Sequence, residues 1–304
     1  MRLVILLSLL FHCTPSSKDK SDSSSHSEPA DDTGENSSDD TGNTDEGDMF
    51  DITDIPDGTL SPFQGTFSKY VNVFGIHILA TSTVPDEKVL HAALVMAEYL
   101  DNNEDGTIDD PEAVRALTET HDGAGLVMFG TEREAENIFE EIDFDSLPDM
   151  HLQDLYAEET LPGGSVPGGR FDATLEEVLH LVQSGGFSQV HEDLAIESDS
   201  LLAQAMDTAR GGHFETIPDT YPEEGWYHYD DETCDYECMM VEYFYWGLTS
   251  LLGAQDYEGR CEDIAHEWEA CTREQFIETD TALHALLTDP QYKLPTVIPD
   301  GNYR

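Results

Sequence analysis

From Met49 onward the chain alternates between two periods of apolar residues, with short Gly and Pro punctuation. "KYVNVFGIHILAT" (69–81) and "GAGLVMFG" (123–130) are rich in β-branched and aromatic residues and predict strands. "PDEKVLHAALVMAEYL" (85–100) opens on a proline and two acids and then spaces Val89, Leu90, Ala93, Leu94, Ala97 and Leu100 as one helical face. A second helix is expected at 111–117, a strand within 151–161, a glycine-rich loop at 162–169 and a helix at 174–184 stopped by Gly185-Gly186. Helical segments then follow at 198–209, 236–253, 260–275 and 279–287. The expected class is α+β: an α/β lobe over 49–148, then a mainly helical lobe over 149–304.

The N-terminal region follows different rules. Residues 14–48 are Ser, Asp, Gly, Thr and Glu with almost no apolar side chain, a composition that cannot offset the entropy of ordering. Before it, Arg2 and the apolar run Leu3 to Phe11 have the layout of an export signal too short to span a bilayer. Leu10-Phe11-His12-Cys13 resembles a bacterial lipobox, with His12 where that box prefers a small residue. The resemblance implies a signal peptide at 1–12, a lipidated Cys13 and an acidic linker over 13–48. Without Cys13 the remaining cysteines, Cys234, Cys238, Cys261 and Cys271, are even in number, which in an oxidising compartment predicts two disulfides. Three pairings are open, and a four-cysteine zinc site is the weaker alternative.

Charge narrows the partners. The chain holds 65 acidic and 13 basic residues, a net charge of −52, which repels nucleic acid and anionic lipid. The segment 14–50 supplies 11 acids and 2 lysines, so most of the charge belongs to the body. No nucleic-acid partner is expected, and a membrane only through the lipid.

Two constellations carry chemistry. "DNNEDGTIDDPE" (101–112) resembles the EF-hand calcium loop at each diagnostic position: Asp101, Asn103 and Asp105, then Gly106 at the turn, the Thr107 carbonyl, Asp109 and Glu112. The resemblance implies a bound Ca2+, and since no second loop is found, a structural site rather than a switch.

"EEVLH" (176–180) resembles the metallopeptidase signature H-E-x-x-H, with Glu176 where that signature has its first histidine. Glu176 and His180 still stand one helical turn apart on one face, and a carboxylate can replace an imidazole as ligand at some loss of preference for zinc over manganese or iron. A strand, a glycine-rich loop, this helix and a later helix bearing the single acid Glu242 together resemble the gluzincin type of zincin metallopeptidase. The resemblance covers roughly 150–255. It implies Glu176, His180 and Glu242 as ligands to Zn2+ (or Mn2+ or Fe2+), Glu177 as general base, a substrate peptide or protein along an edge strand, and hydrolysis by a metal-activated water. Tyr243, Tyr245 and His213 are open as oxyanion donors.

The same residues admit a structural reading. Thr174 and Glu177 have capping-box spacing, His180 could be a core histidine, and Glu242 could pair with Arg210 or Arg260. "EDIAH" (262–266) repeats the pattern and resembles one half of a di-iron carboxylate site; His266 and Glu267 could instead line a zincin cleft. His191 is a further ligand candidate. The expected function is therefore an exported, calcium-binding, zincin-like metal-dependent peptidase; the competing readings are a non-catalytic calcium-binding surface lipoprotein or a di-metal oxidoreductase.

Overall fold

The computed structural model describes residues 5–6, 49–165 and 170–304. Cys13 and the linker 13–48 lie outside the described residues. Two strands, β1 (Lys69–Val73) and β2 (Ile76–Ala80), form a tight hairpin where one strand over 69–81 is expected. Its turn is Phe74-Gly75, with φ of 51° and 97°. That conformation suits glycine, and Phe74 is an unusual occupant that composition does not flag. Helices α1 (Asp86–Leu100) and α2 (Pro111–Glu119) flank the 101–110 loop, and β3 (Ala124–Phe129) pairs in parallel with β2.

Helix α3 (Glu132–Glu141), not expected from its polar composition, is capped by the Thr131 side chain. Strand β4 (His151–Tyr156) then pairs in parallel with β3, and Ile5–Leu6, within the predicted signal, makes a two-residue parallel pairing with its outer side. The expected boundary at 148/149 thus falls between two paired strands. Residues 49–304 form one compact unit, whose main core joins Ile78, Leu126 and Leu155 of the sheet to Val178, Phe244 and Leu283 of the later helices. The two expected lobes share this core.

Strand alternation sorts the sheet's side chains. Leu126, Met128 and Leu155 face the helices, whereas Val127, Phe129, Leu152 and Tyr156 face a second cluster with Phe63 and Phe67. Gln153 therefore shares the helical face with Leu155.

Helix α4 (Thr174–Val182) crosses that face, and Gly185-Gly186 do not stop it. The chain continues through a π-helical turn over Gln183–Phe187. A Cβ on Gly185 would lie 2.8 Å from Leu117 Cδ2 and 2.9 Å from His151 Cδ2, so the glycine is needed for close approach to α2 and β4. Helices α5 (Leu201–Ala209), α6 (Tyr236–Leu252), α7 (Arg260–Ile264), α8 (Arg273–Thr279) and α9 (Thr281–Leu287) complete the body.

The disulfides are Cys234–Cys238 and Cys261–Cys271. The second explains why 260–275 is not one helix. Ten residues of helix would separate these Cα atoms by about 15 Å; they are 5.5 Å apart.

Candidate metal centre

Helix α4 is anchored at its start by Asp172, which is buried, accepts from the Leu161 and Thr174 backbone N–H groups and pairs with the buried His91 ring at 2.7 Å. The expected capping box is not formed. Thr174 is the first helical residue rather than the cap, its hydroxyl has no partner among the described residues, and Glu177 reaches the sheet, where its Oε2 accepts from Gln153 Nε2 at 2.6 Å.

The geometry places Glu176 and His180 against Glu242 of α6. One ligand atom from each lies within 4.8 Å of the others, and among the described residues this is the one such group of three or more His, Cys, Asp or Glu. His180 Nε2 stands 3.7 Å from Glu242 Oε2, and His180 Nδ1 stands 3.6 Å from Glu177 Oε2. Two ligands at about 2.1 Å from a tetrahedral ion sit about 3.4 Å apart, so the separation of His180 from Glu242 is close to what a shared ion needs. His180 Nε2 is buried with no hydrogen-bond partner among the described residues. A buried ring nitrogen aimed at a carboxylate from outside hydrogen-bond range is what an ion between them would satisfy.

Electrostatics favour a cation here. Burial pushes the Glu242 carboxyl up to about 8; His180 opposes the rise, while Glu176, Glu177 and Glu267 add to it. Burial also raises Glu177 well above the carboxylate range, reinforced by the charges of Glu176, Asp154 and Glu159 against the Gln153 hydrogen bond. Glu176 is raised by burial too, with His180, Arg260 and the Tyr245 hydroxyl holding it down. A divalent ion would offset the negative charge that buried carboxylates gather around one imidazole.

Of the three oxyanion candidates the fold brings one to this group. The Tyr245 ring meets His180 edge-on at 5.6 Å. Tyr243 gives its hydroxyl to Asp280 at 2.5 Å, and His213, half exposed, pairs with Asp207 at 2.9 Å. Arg210, His191 and the second-copy candidates lie elsewhere. Arg210 gives its guanidinium to the Phe214 carbonyl and the Tyr221 hydroxyl rather than to Glu242. His191 bonds Asp110 at 2.8 Å. In the second copy, Glu262 and Asp263 are exposed and His266 lies 3.3 Å from Glu267, so the two Glu-x-x-His-like segments do not converge on a di-metal site.

The 101–112 loop joins two helices with Gly106 at φ +81°, and Asp101 accepts from the Asp105 and Gly106 N–H groups. Asp105 and Asp109 likewise accept from the Thr107 and Asn102 N–H groups, and Asn103 from that of Asp105. Unlike the centre on α4, Asp101, Asp105, Asp109 and Glu112 do not gather three ligand atoms. The loop is tied instead to the C-terminal segment: Tyr303 donates to Asp101 at 2.6 Å, and the Thr296 and Val297 N–H groups to Asn102.

Three residues take roles that local spacing does not reveal. Gln153 orients Glu177, the buried Gln255 donates to the Tyr245 hydroxyl at 3.3 Å, and Arg260 bonds Gln255. Period-two alternation along 151–156 is a usable signal for Gln153 alone. No protein family, characterised protein or solved structure matches this chain.

Proposed function

We propose that the protein is a metal-dependent hydrolase acting on peptides, with the ion held by Glu176, His180 and Glu242. The carrying observation is the convergence of these three side chains within 4.8 Å around a buried His180 Nε2 that has no hydrogen-bond partner among the described residues. The donor set, one nitrogen and two carboxylates, suits zinc, manganese or ferrous iron. When bound, the ion supplies a Lewis acid and lowers the pKa of water.

The chain's own residues account for the rest. Glu177, with Oε2 bonded to Gln153 and 3.6 Å from His180 Nδ1, is the proton-accepting group in this reading, which those contacts support. Burial raises its affinity for protons, and a bound dication beside it would lower that affinity again, so that the carboxylate could take a proton and pass it to the leaving amine. Tyr245, whose ring meets His180 and whose hydroxyl bonds Glu176, would turn that hydroxyl to developing negative charge once an ion takes the Glu176 carboxylate. The sequence pattern at 101–112 supports a structural calcium site in the same protein, and the two disulfides, with the N-terminal pattern ending at Cys13, support export and lipid anchoring. Among the described residues no helix is long and apolar enough to cross a membrane.

The test is digestion of a mixed peptide library by the zinc-loaded protein beside Glu177→Gln. New termini produced by the parent and absent with the variant support the assignment. No cleavage by a parent that carries its metal rules out peptide hydrolysis.

A further inference from the structure

Within this acidic molecule one basic side chain near the metal group makes no ion-pair contact with a carboxylate among the described residues. Arg260 gives its Nε to Gln255 Oε1 at 2.7 Å, and among the described residues its terminal nitrogens form no hydrogen bond and no ion pair. The guanidinium lies over Phe171, 4.6 Å from the ring centroid, and near Trp246 at 5.6 Å. Gln255 is fully buried and also bonds the Tyr245 hydroxyl and Thr249, so its orientation is fixed from three sides. The Cys261–Cys271 disulfide ties down the residue that follows Arg260.

This scaffold is continuous with the metal group. Phe171 meets Tyr245 at 6.1 Å, Tyr245 meets His180 at 5.6 Å, and Trp246 lies tilted against Tyr245 at 4.8 Å. Arg260 and His180 thus stand on the same aromatic platform. Arg210, another arginine in this half of the core, is fully buried and bonded to a backbone carbonyl. Arg260 is only partly buried, and its tip is left for something else. A guanidinium held at Nε and flanked by rings presents two parallel N–H donors in a fixed fork, the geometry that matches a carboxylate and that lysine lacks. Among 65 acids, an arginine whose tip makes no ion-pair contact is a place where an anionic ligand would be accepted.

We propose that Arg260 is a specificity-determining residue, recognising a carboxylate on the ligand, such as the free C-terminus of a peptide. The ligand's reacting group would then lie toward Glu176, His180 and Glu242. The position of the reacting group rests on the metal assignment; recognition of the carboxylate does not. The competing role is charge compensation, since Arg260 holds down the carboxyl groups of both Glu176 and Glu267. A compensating arginine would leave carboxylate and amide ligands bound alike.

The experiment titrates acetyl-Ala-Phe as free acid and as carboxamide into the full-length protein, metal-free and zinc-loaded, by calorimetry. The Arg260 Nε–H resonance is followed by NMR and assigned with Arg260→Lys. The free acid should shift that resonance and bind about tenfold or more tighter than the amide in both metal states. The preference should vanish in Arg260→Gln and fall severalfold in Arg260→Lys, which keeps the charge and loses the fork. Equal binding of acid and amide, no binding of the acid, or an acid preference that survives in Arg260→Gln overturns the proposal. If Arg260→Gln fails to fold, the parent's resonance and the lysine variant still decide. The zinc content of the parent, measured on the same sample, tests the metal assignment separately.

Discussion

Loading metal into the Glu176, His180 and Glu242 group should expel protons, and the structure sets how many. Burial and neighbouring acids hold the Glu242 carboxyl at about 8 in the metal-free protein. At pH 7 such a group is about nine-tenths protonated, and a ligating carboxylate must be ionised, so Glu242 alone should release about 0.9 proton per ion. Glu176, also raised, adds to this figure. The sign is fixed: apparent affinity rises with pH up to about 8 and levels off above it, while the release from Glu242 shrinks to about 0.1 proton at pH 9. The assay is calorimetric titration of zinc into chelator-stripped protein, with calcium in excess to keep the 101–112 loop out of the signal, in two buffers of different ionisation enthalpy. Zinc binding at pH 7 with no proton release, or release that grows between pH 7 and 9, would refute the buried-carboxylate account of the site.

Glu177→Gln should retain the parent's metal content while turnover falls by about 10²- to 10⁴-fold, measured by elemental analysis and peptide cleavage on one sample. Glu98, buried and accepting from the Gly301 and Asn302 N–H groups, has its carboxyl raised from 4.5 to about 7, chiefly by burial. Its folded state therefore binds the extra proton, so the stability it contributes is full below about pH 4.5 and lost as pH rises through 7; Glu98→Gln should flatten that part of a stability–pH curve. Gly247→Ala would set a Cβ 2.2 Å from Leu283 Cδ2 at the α6–α9 contact and should cost about 1–3 kcal/mol in denaturant melts. Replacing Cys261 and Cys271 by serine should cost about 2–4 kcal/mol and broaden the Arg260 Nε–H resonance, because the loop that anchors it is freed.

Local spacing is what the sequence exposes. Helices α1 and α6 and the proximity of Glu176 to His180 follow from periods of 3.6 residues, and Glu242 stands out as an acid within an apolar run. What depends on distant partners stays hidden. Gly185-Gly186 look like a helix stop until Leu117 and His151 are seen against them. Thr174 and Glu177 have the spacing of a cap, yet Asp172 already serves the helix start and Gln153 takes Glu177. The break within 260–275 becomes visible only with the disulfide pairing, which parity alone leaves open among three choices. Charge alone suggests Arg260 as a partner for Glu242, whereas the fold gives it to Gln255 and two aromatic rings.

The most direct measurement is the transition-metal content of the protein purified without chelator, beside His180→Ala, with an anomalous difference map from crystals of the parent. One zinc, manganese or iron per chain in the parent, located between Glu176, His180 and Glu242 and missing from the variant, is the predicted result. A parent that holds no transition metal, or a variant that holds as much as the parent, would contradict the metal centre.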